Sequence, residues 1–272
     1  MSWKERVQSR FSPREDADKW DRMYAQDTEN LDDEFFRLRR DFTIAYVTSR
    51  YDASATICDL GCGAGPVISA LLNRGYDAIG FDYSIDMPDN AARCIATGTA
   101  GRQPLARCDI QALPLGDDSF DCAVCLGVIS YVEHYENIIR EIRRILKPGG
   151  TAIVSYRNEN NLMVSDPVGP VKYLGRKTLE SVGHAPREFR IGNHMSHGEV
   201  GRTLQRNGLT LEAFKGIGLG PLRFNRRPLL SEKMSLGLHR TLTRWLDAWG
   251  AEFAFRIGTD VHILVVRKST GG

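Results

Sequence analysis

No stretch of this 272-residue chain comes near the roughly 18 consecutive apolar residues that a membrane-crossing helix needs. Its first twenty residues, MSWKERVQSRFSPREDADKW, are charged and have no apolar signal core. A soluble, cytoplasmic protein is expected. A dominant charge is also missing: 36 Lys and Arg face 34 Asp and Glu, a formal net charge of +2, which argues against a dedicated nucleic-acid binder and leaves room only for local basic patches. There is no internal repeat and no low-complexity tract. The six cysteines, Cys58, Cys62, Cys94, Cys108, Cys122 and Cys125, crowd into one half of the chain and mostly into apolar runs, whereas a disulfide scaffold would spread them over loops. Cys122 and Cys125 form a C-x-x-C. It lies inside the strand-like run FDCAVCL, where residues three apart point to opposite faces, so buried apolar thiols are expected and not a metal or redox pair.

From Ala55 to Ser155 the pattern switches repeatedly between short apolar runs and helical spacing, the mark of βαβ units on a parallel sheet. Strands are predicted at 55–60, 76–82, 105–109, 120–126 and 151–156. A helix opens on Pro66, presents Val67, Ile68, Leu71 and Leu72 on one face and ends before Gly75. A second, HYENIIREIRRILKPGG, buries Ile138, Ile139, Ile142, Ile145 and Leu146 and gathers Arg143, Arg144 and Lys147 in its last turn, with Pro148 and Gly149 as its stop. After Tyr156 the pattern lapses for about forty residues, a length more typical of a lid than of a connector. SHGE then reads as a capping box from Ser196 to Glu199, followed by a helix to Gly208 and the strands LTLEAF and VHILVV. Ahead of the sheet, Phe35, Leu38, Phe42 and Tyr46 fall at helical spacing.

The chemistry concentrates at one turn. A strand ends at Leu60, glycines stand at 61, 63 and 65, and a helix starts at Pro66, so the backbone there can approach a ligand closely. The dinucleotide fingerprint needs a third glycine where Pro66 stands, which makes a nicotinamide cofactor the poorer candidate. Asp82 ends the second strand, 82 − 61 = 21 residues on, where a carboxylate can accept both hydroxyls of a ribose. Asp109 ends the third strand on the same carboxyl-end rim. Either aspartate alone could merely cap the loop that follows it.

These residues together resemble a known family, the class I S-adenosylmethionine-dependent methyltransferases of the small-molecule branch. CDLGCGAGPVISALLNRG is similar to its cofactor loop, GFDYSIDMPDNAAR to its ribose-binding strand, RCDIQALPLGDDSFDCAVCLGVISYVEH to its adenine-binding and fourth-strand region, and EIRRILKPGGTAIVS to the element that follows. The likeness is dense over 59–155 and looser in WDRMYAQ and GNHMSHGEVGRTLQRNGL. It implies a Rossmann-like α/β fold, a doubly wound, seven-stranded and mostly parallel sheet with a helical N-terminal segment and cap insertions. Residues 1–50 would cover the cofactor site, 51–157 form the core, 158–195 and 218–258 make the cap, and 196–217 with 259–268 close the same domain. The cofactor implied is S-adenosylmethionine, with Asp59, Gly61 and Gly63 around its methionine moiety, Asp82 on the ribose, Tyr83 beside the adenine, Asp109 and the Ile110 amide on its edge, and Leu126 by the sulfonium. Pro88 departs from the family's pattern and implies a shifted helix start.

Methyl transfer asks the protein to align a nucleophile and exclude water. No constellation of acidic ligands suggests a metal. An oxygen nucleophile usually needs a base, and His134, His184, His194 and His197 are available. His194 and His134 are the candidates to face a small-molecule acceptor, with Tyr24 and Tyr131 lining its pocket. Alternatively His134 only opens a helix and His194 only ties a loop. O-methylation is favoured over N-methylation, and LGVISYV after the fourth strand lacks the proline-aromatic loop of nucleic-acid amine methylation. A cofactor-binding protein without transfer, or a nicotinamide oxidoreductase, are the rival readings. Finally, Met234, Leu238, Leu242, Trp245 and Trp249 follow helical spacing among Lys233, Arg240 and Arg244, which suits a lid helix or a contact of 219–250 with a membrane or a lipid-linked substrate.

Overall fold

A computed structural model describes residues 30–83, 104–159, 194–219, 222–224, 227–249 and 258–270, together with 171, 174, 175 and 178. Tyr24, Pro88, His184, Cys94, WDRMYAQ and most of the 158–195 cap therefore lie outside the described residues. The chain begins with helix α1 (Leu31–Arg50) and then alternates β1 (Thr56–Leu60), α2 (Pro66–Leu72), β2 (Asp77–Asp82), β3 (Leu105–Arg107), β4 (Phe120–Leu126), α3 (Tyr135–Ile145) and β5 (Leu146–Arg157). It continues with α4 (His197–Arg206), β6 (Leu209–Leu219), the small hairpin β7 (Arg223–Phe224) and β8 (Arg227–Pro228), α5 (Glu232–Trp249) and β9 (Thr259–Lys268). Seven strands form one sheet in the order β3-β2-β1-β4-β5-β9-β6. Neighbours run parallel from β3 to β5, and β9 is antiparallel to both β5 and β6. The Rossmann-like, doubly wound and mostly parallel sheet expected from the sequence is what forms.

Strand alternation sorts the core into two layers. Ile57, Cys122, Val124, Ile153, Ile263 and Val265 face α1 and α2, while Cys58, Leu60, Ala123, Cys125, Val154 and Leu264 face α3 and α4. Cys122 and Cys125 do lie on opposite faces, both free and buried. Helix α3 buries Ile138, Ile139, Ile142 and Ile145 completely. Each such side chain contributes roughly 1.5–3 kcal/mol of transfer free energy, an upper bound.

Several local expectations are corrected. Helix α3 ends at Ile145, just ahead of Pro148 and Gly149, and passes directly into β5, so Lys147 is a strand residue and not part of the last helical turn. Lys147 instead pairs with Asp121 at 2.7 Å and donates to Thr56, tying β5 to β4 and β1. Ser196 is the N-cap of α4, but its side chain makes no capping bond. The buried stripe of α1 is Leu31, Phe35, Arg39, Thr43 and Val47, one step away from the predicted Leu38, Phe42 and Tyr46, which pack at its edge. Helix α5 turns Leu236 and His239 inward, and leaves Met234, Leu238, Leu242 and Trp245 exposed. It docks on α1 through Arg240 to the buried Glu34 at 3.1 Å and through His239 edge-on to Phe35.

Phe35 also fixes the end of β6. Gly218 has φ +83°, and a Cβ there would lie 2.5 Å from Phe35 Cζ. Gly218→Ala should therefore destabilise the protein by about 2 kcal/mol or more, combining left-handed strain with overpacking. Chemical denaturation of the variant, and of the same change in a Phe35→Ala background, checks it: the cost should shrink to the backbone strain alone once the ring is gone.

Candidate active site

In an open parallel sheet ligands bind beyond the carboxyl ends of the strands, where the strand order reverses. Here that point lies between β1 and β4. The chain leaves β1 through Gly61 (φ +77°), Gly63 (φ +54°) and Gly65 (φ +72°), the last being the N-cap of α2, with Pro66 in its first turn. The turn is fastened to β2. Gly61 N and Cys62 N both donate to the Phe81 carbonyl, at 2.6 and 3.1 Å, and Gly63 N donates to Asp82 Oδ2 at 2.9 Å. From the other side Val128 closes over it, since a Cβ on Gly61 would collide with Val128 Cγ2.

Asp82 thus holds the glycine turn. Ionised carboxylates offer about four acceptor positions, so this bond is compatible with further hydroxyl donors. Asp59, at the end of β1, is buried, and its carboxyl is pushed up to about 8, first by burial and then by the charge of Asp82. Tyr83 follows Asp82, with the Arg107 guanidinium 5.9 Å from its ring centre. Strand β3 ends at Arg107, two residues before the predicted end, and Asp109 Oδ1 accepts from Gln111 N at 3.0 Å. That is the loop-capping geometry. The loop carrying Asp109 and the buried Ile110 is pinned from α3: Glu141 accepts from Leu113 N at 2.7 Å, and Arg144 donates to the Leu113 and Leu115 carbonyls.

Leu126 ends β4 and is half-buried, and Gly127 (φ +75°) turns the chain away. A Cβ on Gly127 would lie 2.7 Å from Arg39 Nη1. Arg39 is a site residue that sequence reasoning missed: a buried cation on α1, stacked over Phe36 at 4.1 Å and laid against the end of β4. The available signal was an arginine in the i, i+4 series of Phe35, Thr43 and Val47.

Beyond β4, Tyr131 closes a short helical turn (Ile129–Tyr131) that Ser130 ties to β5 by accepting from Arg157 N at 3.2 Å. His194 stands at the end of β5, because the next residue, Met195, donates to the Arg157 carbonyl at 2.7 Å and accepts from Glu159 N at 3.1 Å. His194 Nε2 is 4.0 Å from Asp260 Oδ1, and Arg157 Nη2 is 3.3 Å from Asp260 Oδ2. Burial opposes the charge of Arg157, but Asp260, with Tyr131 and Asp32, outweighs it and raises its pKa above the usual value. The structure thus brings Tyr131, Arg157, His194 and Asp260 to one rim. His134 is elsewhere in character: it is exposed and is the N-cap of α3 without a capping bond. His197 belongs to the interior, its Nδ1 2.9 Å from the Tyr156 hydroxyl, which also meets His262. Among the described residues no group of three or more His, Cys, Asp or Glu is arranged to hold a metal.

Comparison with known proteins agrees with this geometry. A family described as a methyltransferase domain matches residues 58–154. A ubiquinone biosynthesis O-methyltransferase of Methylococcus capsulatus is 28% identical over 168 residues, 60% of this chain and 67% of that protein. Its counterpart in Pseudomonas paraeruginosa is 28% identical over 174 residues, 62% of this chain and 71% of the relative. In fold the chain is similar to magnesium protoporphyrin IX methyltransferase from Synechocystis PCC 6803 with bound S-adenosylhomocysteine, with a TM-score of 0.61, 17% identity, and coverage of 98% of this chain and 100% of that one.

The buried Asp59 has a thermodynamic signature. Its pKa in the fold, about 8, lies above the ordinary 3.8, so the folded protein holds a proton that the unfolded chain releases, and the associated stability is lost as pH rises from about 4 through 8. Asp59→Asn stays neutral throughout. Without added ligand, its Tm relative to wild type should therefore rise between pH 5 and pH 9, by at least about 2 °C, and calorimetry at both pH values measures it. A constant difference would mean that Asp59 is ionised in the fold.

Proposed function

The chain belongs to the class I S-adenosylmethionine-dependent methyltransferases and methylates a small organic molecule, and from that premise we propose that it transfers the methyl group to an oxygen, with His194 as the base. The observation that carries this is the convergence, on one carboxyl-end rim, of the glycine turn, Asp82 and the 109–110 loop with the pinned His194. The curated relatives named above as O-methyltransferases favour oxygen over nitrogen.

The donor set suits this cofactor. Gly61 and Gly63, with Asp59, border the methionine end, Asp82 receives the ribose hydroxyls, Tyr83, Asp109 and the Ile110 amide take the adenine, and Leu126 lies beside the sulfonium. Arg39 supplies the buried positive charge that an amino-acid carboxylate requires. S-adenosylmethionine contributes a methyl carbon already activated by positive sulfur. The protein's own part is to orient the acceptor, keep water out and remove a proton, with His194 accepting it and Tyr131 lining the pocket. His134, exposed at the start of α3, is the weaker base candidate. The cap divisions 158–195 and 218–258 and a cytoplasmic setting belong to the same proposal; the free thiols Cys58, Cys62, Cys108, Cys122 and Cys125 suit a reducing compartment.

One surface favours an acceptor held at a lipid interface. Phe224, Leu229, Met234 and Trp245 are each more than half exposed, at 56%, 62%, 60% and 57%. The sequence from 219 to 250 has six Lys and Arg against two acids, a net +4 where the whole chain carries +2. No described helix is long and apolar enough to cross a membrane, so the contact is peripheral. The segment leaves β6 at Leu219, which pairs with Thr259 of β9, next to Asp260.

Turnover of labelled S-adenosylmethionine against metabolite extracts, with mass spectrometry of the product, tests the reading. Asp82→Ala should weaken cofactor binding by roughly tenfold or more, while His194→Gln should lower kcat about a hundredfold with cofactor affinity unchanged. Methylated nitrogen in the product, or a wild-type pH–rate profile in His194→Gln, would overturn the oxygen-and-base reading; binding without turnover would favour a non-catalytic cofactor binder. Separately, vesicles of mixed phosphatidylglycerol and phosphatidylcholine should float the protein, and Met234→Ser with Trp245→Ser should abolish that. Equal behaviour of the variant and the parent would remove the lipid contact.

A further inference from the structure

Asp260 lies apart in sequence from the glycine turn and the 109–110 loop, and its position is specific. It is the second residue of β9 and is buried, at the rim where the 218–258 insertion returns to the sheet. Its main chain is fixed, since Asn158 N donates to the Asp260 carbonyl at 2.7 Å and Asn158 Nδ2 donates to the neighbouring Thr259 carbonyl at 2.9 Å. Its two carboxylate oxygens are divided: Oδ2 lies 3.3 Å from Arg157 Nη2 and Oδ1 lies 4.0 Å from His194 Nε2. His194 is held through the Met195 bridge to the same Arg157–Glu159 stretch at the end of β5. The end of β5 therefore anchors both segments and presents an imidazole to a carboxylate.

Resting on the reading of His194 as the base, we propose that Asp260 is its positioning residue, setting the ring's tautomer and stabilising the imidazolium formed during transfer. With Nε2–H toward Asp260, Nδ1 is the nitrogen that accepts the proton of the acceptor hydroxyl. As that proton moves to Nδ1, the oxygen's electron pair forms the O–CH3 bond, and the S–CH3 bond breaks with its electrons to sulfur, giving the neutral thioether. The new positive charge on His194 faces the carboxylate. Arg157 complements this arrangement by pairing with the buried Asp260, so that the carboxylate is shared between the guanidinium and the imidazole. Tyr131 and Asp32 act on Arg157 from the segment after β4 and from α1, so the titratable groups on this rim among the described residues include Asp32, Tyr131, Arg157, His194 and Asp260.

A purely structural Arg157–Asp260 pair, clamping β5 to β9, would affect folding and leave the titration of His194 alone. The two readings separate by sign. In the full chain, the His194 pKa measured by NMR should fall by about one unit in Asp260→Asn and rise in Arg157→Gln, because one variant removes a negative and the other a positive neighbour. In turnover assays Asp260→Asn should move the acidic limb of the kcat profile down by the same amount and lower the plateau about tenfold or more, with cofactor affinity unchanged. The rate effect should vanish in a His194→Gln background. If Asp260→Asn folds poorly, Asp260→Glu and the double variant Arg157→Gln with Asp260→Asn carry the same comparison. Loss of turnover in His194→Gln with an unmoved His194 pKa in Asp260→Asn would overturn the Asp260 role and leave the base standing. A fully active His194→Gln would overturn both.

Discussion

One carbonyl organises the site. Phe81 O, at the end of β2, receives the amides of Gly61 and Cys62, and the adjacent Asp82 carboxylate receives that of Gly63, so the chain leaving β1 is drawn sideways onto β2 before it enters α2. Three consecutive residues with their amides gathered on one neighbouring strand cannot follow an ordinary extended or helical path, which is why positive φ recurs at 61, 63 and 65. Val128 presses on Gly61 from the β4 side. The need for glycine at 61 is thus met inside the protein itself, before any ligand is considered. The crevice between the ends of β1 and β4 is a result of that fastening.

Charge is distributed over this rim in a pattern that suits a donor with both charges. Asp59 and Asp82 crowd one side, where burial and mutual repulsion keep Asp59 protonated near neutral pH. Arg39 brings a buried cation to the end of β4, and the partly exposed Arg157 places a second cation at the end of β5. A protonated Asp59 can release its proton when a cationic group arrives beside it, so the pair is poised to accommodate positive charge without a permanently buried double anion. At the end of β5 Asp260 pairs with Arg157, and His194 stands beside the same carboxylate.

The sheet, its order of strands and helices, and the glycine turn were legible in the sequence because each rests on local pattern: alternation in strands, helical spacing in α2 and α3, and proline after the third glycine. What could not be read had a tertiary cause. Lys147 looks like a helix-terminal cation, but Asp121 and Thr56 recruit it to the sheet. Arg39 was passed over because a charged residue inside FFRLRR reads as solvent-facing, and only the approach of α1 to Gly127 makes it part of the site. The apolar stripe of α5 suggests a buried face, whereas Glu34 and Phe35 capture the opposite face through Arg240 and His239. His194 was legible as a candidate, but its partner Asp260 lies 66 residues on (260 − 194), joined only by the antiparallel placement of β9.

The central claim is that the crevice between β1 and β4 is where S-adenosylmethionine binds and that Asp82 carries its ribose. A crystal structure of the full chain grown with S-adenosylhomocysteine tests this directly. The account predicts density across the ends of β1, β2 and β4, with both ribose hydroxyls on the Asp82 carboxylate while Gly63 N keeps its bond to the same group. Ligand density away from the glycine turn, or a ribose with no contact to Asp82, would contradict it.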